Sequence, residues 1–165
     1  MATQASDVER IFGKSLKRRE DPRFITGRAT YTDDVKLPGM TYAVFVRSPV
    51  AHARIRAVDT AKARAVRGVR AIFTGKDLAS GGVNAIPTGW LLPELKTTDH
   101  RPLAVDRVRH VGEAVAVVVA DTPFAARDAA ELVAVEYEEL PAVVDGVKAL
   151  APGAPLVHEH APNNR

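Results

Sequence analysis

Ala114-Val115-Ala116-Val117-Val118-Val119-Ala120 is an unbroken apolar run. A strand with apolar side chains on both faces has to be covered on both, so the run predicts a central strand. Forward of it, Asp121 and Thr122 offer a helix cap, and Pro123 suits a first turn, where its missing N–H costs nothing. A helix is expected from Pro123 to Leu132, with Ala125, Ala129, Leu132 and Val133 on its inner side and Arg127, Asp128 and Glu131 in water. Val133 to Tyr137 alternates as a second strand, stopped near Pro141. This strand, helix and strand form the most readable unit of the chain, and the alanines let the helix lie close to a sheet.

Toward the N-terminus the same patterns recur. Thr41 to Arg47 is a strand with Tyr42, Val44 and Val46 on one face and Ala43, Phe45 and Arg47 on the other. Ala53 to Val58 is another, with Ala53, Ile55 and Ala57 inward and Arg54 and Arg56 outward. Asp59 and Thr60 precede a short helix from Ala61 to Val66, which Gly68 stops, and Val69 to Phe73 is a third strand. Thr74 to Leu78 reads as a turn able to open one helical turn, and Val143 to Ala151 as a last turn or short helix. The segment from Ile11 to Ala29 reads as extended or irregular, with Arg23-Phe24-Ile25 tucked onto apolar surface. Together these patterns predict an α+β fold: a mixed sheet with two main helices packed on it. The expected organisation is an N-terminal arm over residues 1–30, the folded domain over 31–150, and a Pro-rich extended linker over 151–165.

Composition narrows the function classes. The chain has 165 residues, 46% of them hydrophobic but only 5% aromatic, so its core is built from Val, Ala, Leu and Ile. The absence of cysteine excludes disulfides, a thiolate nucleophile and any Cys-held zinc or iron–sulfur site on this chain. No apolar stretch approaches the roughly 20 residues needed to cross a bilayer, and MATQASDVER lacks the apolar centre of a secretory signal, so the expected location is cytoplasmic. Net charge is +3. No basic face with interleaved aromatics accompanies it, so the excess reads as solvated surface or as a face for an acidic partner.

Several groups invite a chemical reading. Gly13-Lys14-Ser15 fails as a phosphate loop because Val8 stands where the pattern needs a glycine. Asp33 and Asp34, beside Pro38-Gly39, read as a solvated turn rather than a cation site. Ser48, His52 and Asp59 are hydrolase-triad residue types, but no nucleophile elbow surrounds the serine. His52 is expected to be a hydrogen-bonded structural histidine, and His110 to line a strand edge. His158-Glu159-His160 supplies too few ligands for a metal site and reads as a polar tail packed on a partner. Glu136, Glu138 and Glu139 read as a wet strand face. Gly112 permits a bulge or close backbone approach, and Glu113 either faces a cofactor-bearing neighbour or forms a salt bridge. Ser80 to Arg101 is a long unpatterned loop carrying Trp90-Leu91-Leu92: exposed, a docking patch; buried, a plug. Docking is the reading taken. No residue is assigned a catalytic, cofactor-binding or metal-binding role.

Taken in order, five stretches resemble one family. They are Gly13 to Asp21 with Phe24-Ile25-Thr26-Gly27 and Tyr31-Thr32-Asp33-Asp34; Arg47-Ser48-Pro49-Val50-Ala51-His52-Ala53-Arg54-Ile55; Gly68 to Leu78; Pro102-Leu103-Ala104 through Val111-Gly112-Glu113-Ala114-Val115-Ala116; and Glu136 to Pro141. They resemble the N-terminal α/β hammerhead domain of the molybdenum hydroxylase large subunit, the xanthine dehydrogenase, aldehyde oxidase and carbon monoxide dehydrogenase family. The resemblance implies oxidation or hydroxylation at molybdenum bound to a pterin dinucleotide, with water as oxygen source. It also implies FAD and [2Fe–2S] on partner subunits, in a dimer of heterotrimers. The opening and the Arg47-Ser48-Pro49 motif lean toward the carbon monoxide dehydrogenase-like or aldehyde branch. Large subunits of this family are several times longer than 165 residues, and the segments that bind their cofactor are not found here. The expectation is therefore a structural domain, as a fragment or a split subunit. The alternative is a stand-alone interaction module with the same fold.

Overall fold

The computed structural model describes residues 13–90 and 92–165. The chain divides after Gly39 into two units. In the first, Asp21–Ile25 forms helix α1, where an irregular segment was expected. Pro22 at the start of the helix fits its fixed φ, and the Arg18 guanidinium holds Asp21 at 3.0 Å. Ile25 is exposed rather than tucked in, while the Phe24 ring lies 4.8 Å from that of Tyr31.

In the second unit the chain runs through strands β1 (Tyr42–Arg47) and β2 (Ala53–Asp59), helix α2 (Ala61–Arg64), strand β3 (Val69–Thr74) and helix α3 (Gly75–Ser80). The loop to Arg101 has no helix or strand among its described residues. Strands β4 (Arg107–Val108) and β5 (Ala114–Ala120), helix α4 (Pro123–Glu131), strand β6 (Ala134–Glu139) and helix α5 (Gly146–Ala149) follow.

The α+β class holds, with a difference in the sheets. Among the described residues six strands make two three-stranded sheets, β1-β5-β3 and β4-β2-β6, antiparallel throughout, instead of one mixed sheet. Helix α4 does not return the chain beside β5. It delivers β6 to the other sheet, next to β2. The physical reason lies in β5, which serves two cores. Val115 packs with Ala53, Ile55, Ala104 and Val108. Val118, on the opposite side of the strand, packs with Ala63, Ile72 and Ala129. Tyr137 and Val135 of β6 belong to the first core, whereas Val133, just ahead of β6, belongs to the second.

Helix α4 starts as its sequence dictates, with Thr122 Oγ1 accepting the Ala125 N–H at 3.1 Å. Its buried side is Ala126 and Ala129. Leu132, expected inside, is 44% exposed. The helix ends one residue earlier, so Leu132 is the C-cap and leaves the apolar stripe. Helix α3 is a full capping box: Thr74 Oγ1 receives the Asp77 N–H, and Asp77 Oδ2 receives the Thr74 N–H at 2.7 Å. Gly75 permits this start, since a Cβ there would stand 2.0 Å from the Ala104 carbonyl oxygen.

Candidate functional site

Two motifs far apart in sequence meet at the corner where β1 ends and β5 begins. Arg47 Nη1 donates to the Gly112 carbonyl at 2.9 Å, Gly112 N–H to the Ser48 carbonyl at 2.8 Å, and Ser48 N–H to the Glu113 carbonyl at 2.9 Å. Gly112 holds φ at +88°, a conformation that glycine adopts without steric cost. Glu113 Oε2 accepts the Arg109 backbone N–H at 2.5 Å and lies 3.6 Å from His110 Nδ1. The Glu113 carboxylate thus ties down the turn that precedes β5, with His110 as its ionisable neighbour.

Ser48, His52 and Asp59 do not form a triad. Ser48 Oγ donates to the Val50 carbonyl at 2.8 Å, and Asp59 Oδ1 accepts the Ala61 N–H at 2.8 Å. His52 is buried, with Nδ1 2.8 Å from the Pro141 carbonyl. A carbonyl only accepts, so Nδ1 carries the proton and Nε2 bears the lone pair in the neutral ring. The Leu140 N–H donates back to the His52 carbonyl at 2.8 Å, so this histidine fixes the exit of β6.

The tail folds back on the β4 region. Arg107 Nη2 pairs with Glu159 Oε1 at 2.9 Å, Arg109 Nε donates to the Val157 carbonyl at 3.2 Å, and His160 Nε2 is 3.1 Å from the Thr97 carbonyl. Asn164 ties the end together, accepting from Val157 N–H at 2.8 Å and donating to the Ala149 and Pro155 carbonyls. Burial, then the neighbouring Arg109 cation and His160, hold the His158 pKa below its ordinary value. Glu159 and His160 are committed elsewhere, and the described residues hold no group of three or more His, Asp or Glu side chains placed for a metal.

The two sheets present opposite outer faces. On β2 and β6, Arg54 and Arg56 pair with Glu138, the ordinary chemistry of a sheet in water. On the other sheet, Phe45, Val117 and Phe73 are register partners across all three strands, and Ala43 and Val119 lie in the next row. Phe45 is 47% and Phe73 42% exposed. The Arg47 guanidinium lies 5.6 Å from the Phe45 ring centre. Trp90, on the long loop, is 78% exposed and Leu92 is exposed as well, so of the two readings of that segment the open one holds for both; Leu91 lies outside the described residues. The alternation of β1 foretold which residues share a face. Sequence alone did not show that the Phe45 side stays bare, because that depends on where α4 packs.

Residues 26–141 match the family model for the aldehyde oxidase and xanthine dehydrogenase a/b hammerhead domain. The chain is 45% identical over 159 residues to the carbon monoxide dehydrogenase large chain of Afipia carboxidovorans, a match covering 95% of this chain and 19% of that one. It is 44% identical over 135 residues to the xanthine dehydrogenase molybdenum-binding subunit of Escherichia coli O157:H7, covering 81% of this chain and 18% of the relative. Among solved structures, quinoline 2-oxidoreductase from Pseudomonas putida 86 superposes with a TM-score of 0.78 at 43% identity, over 90% of this chain and 19% of that one. The chain belongs to the aldehyde oxidase and xanthine dehydrogenase hammerhead family. It spans about a fifth of the length of these relatives.

Proposed function

We propose that this chain is the structural hammerhead domain of a molybdopterin-dependent oxidoreductase large subunit of the carbon monoxide dehydrogenase-like or aldehyde dehydrogenase-like kind. In this reading it carries no catalytic residue and packs against molybdenum-binding domains. FAD and [2Fe–2S] reside on partner subunits in a dimer of heterotrimers, and the enzyme works in the cytoplasm. The observation that carries the reading is the contrast between the two outer sheet faces. A sheet that meets water has polar outward residues, as β2 and β6 do, whereas the Phe45, Val117 and Phe73 row has the chemistry of a surface meant to be covered. The exposed Trp90 and Leu92 add to it. No helix among the described residues is long and apolar enough to cross a membrane.

The test is direct. The purified 165-residue chain is expected to hold no molybdenum by elemental analysis and to reduce no dye with carbon monoxide or an aldehyde. Turnover by the chain alone would overturn the reading. A stand-alone interaction module remains the competing reading. It requires the bare face to be tolerated in a monomer, so self-association of the isolated chain that is relieved by polar substitution at Phe45 and Phe73 counts against it.

A further inference from the structure

A cavity of about 300 Å³ opens beside the β1–β5 corner, walled by Arg109, His110, Val111, Val143, Val144 and Val157. Its walls are mostly aliphatic, yet they include a cation. Arg109 Nε donates to the Val157 carbonyl, and its guanidinium forms no ion pair among the described residues. The nearby Glu113 carboxylate is committed to the Arg109 backbone N–H and faces His110. A half-buried guanidinium bonded only to one neutral acceptor, with valines around it, keeps N–H donors that a carboxylate can take. The apolar surface continues past the cavity mouth. Val144 is 94% exposed, and Val111 and Val147 are also open. A small free acid would leave that rim wet, whereas a polypeptide crossing the mouth covers it.

We propose that this cavity is a socket for an acidic side chain flanked by aliphatic residues on a facing polypeptide, with Arg109 receiving the carboxylate and Val111 and Val144 receiving the flanks. The inference rests on the reading of this chain as a domain packed against further polypeptide, and it adds the chemistry of the contact. Charge on Arg109 and apolar complementarity at the rim carry it.

The test uses the full chain and two probes, followed by amide chemical shifts. 4-Methylpentanoate, a carboxylate on a branched aliphatic body, is expected to shift Arg109, Val111, Val144 and Val157 saturably. Its amide analogue is expected to bind at least about fivefold more weakly, as is the acid with the Arg109→Gln chain, whose dispersed spectrum serves as the folding control. A capped Leu-Glu-Val tripeptide is expected to displace the acid. Equal binding of acid and amide, or no saturable shift at these residues, overturns the socket. Binding of the free acid without displacement by the tripeptide overturns the polypeptide occupant. None of these results depends on enzyme activity or on molybdenum, so the socket can fail while the domain reading stands.

Discussion

Arg47 Nη1 donates to the Gly112 carbonyl at 2.9 Å, joining residues 65 positions apart into one corner. The glycine is needed there for its backbone and not for space: φ is +88°, and nothing lies within 4 Å of an added Cβ. Gly112→Ala is therefore expected to cost about 1 kcal/mol, the left-handed penalty alone. Arg47→Ala should cost a similar amount, about 1 kcal/mol, since the lost bond is exposed. Urea unfolding of each variant measures both values.

Gly75 presents the opposite case. Its φ is not in the left-handed region, but a Cβ would meet the Ala104 carbonyl oxygen at 2.0 Å, and backbone cannot step aside. Gly75→Ala is expected to destabilise by about 3 kcal/mol, the upper range for overpacking. Thermal melts should place it well below Gly112→Ala.

Ile72 is buried in the core beneath α4, packed with Val118 and Ala129. Ile72→Ala should cost about 3 kcal/mol through lost transfer energy and a residual cavity. Because β5 is shared, hydrogen exchange at Val108 and Ile55, in the other core, should accelerate along with that at Val118.

His158 gives the tail a pH dependence. Burial, Arg109 and His160 lower its pKa from the ordinary 6.5, with Glu113 opposing and His52 adding slightly. The unfolded chain then binds the proton more readily than the folded one. The stability contribution is present above about pH 6.5 and is lost as pH falls toward the depressed folded value. The wild-type melting temperature should fall through this window more steeply than that of His158→Gln.

Polar replacement on the bare sheet face separates surface from core. Phe45→Ser with Phe73→Ser should cost the isolated chain about 2 kcal/mol, roughly half of two full phenylalanine burials, because both rings are already partly in water. Sedimentation should show less self-association, while assembly into any larger complex is lost.

How far the sequence led depended on the range of the forces. Ala114–Ala120 announced a central strand, and Thr122-Pro123 announced the helix start, because both signals are local. The pairing of β6 with β2 was hidden, since a strand, helix and strand pattern is compatible with either sheet. Leu132 fell outside because one residue of helix end decides which side it faces. His52 read as structural, and its bond to the Pro141 carbonyl agrees. The Arg109 cavity was illegible, because it forms only once the tail is folded across residues 107–110.

The placement of β5 between β1 and β3 bears on the order of assembly. Neither flanking strand pairs with the other; both wait for residues 114–120. On a ribosome, both flanking strands would emerge before their sheet had a middle. The two earlier strands must then stay out of aggregates until β5 follows and closes the sheet in one stroke.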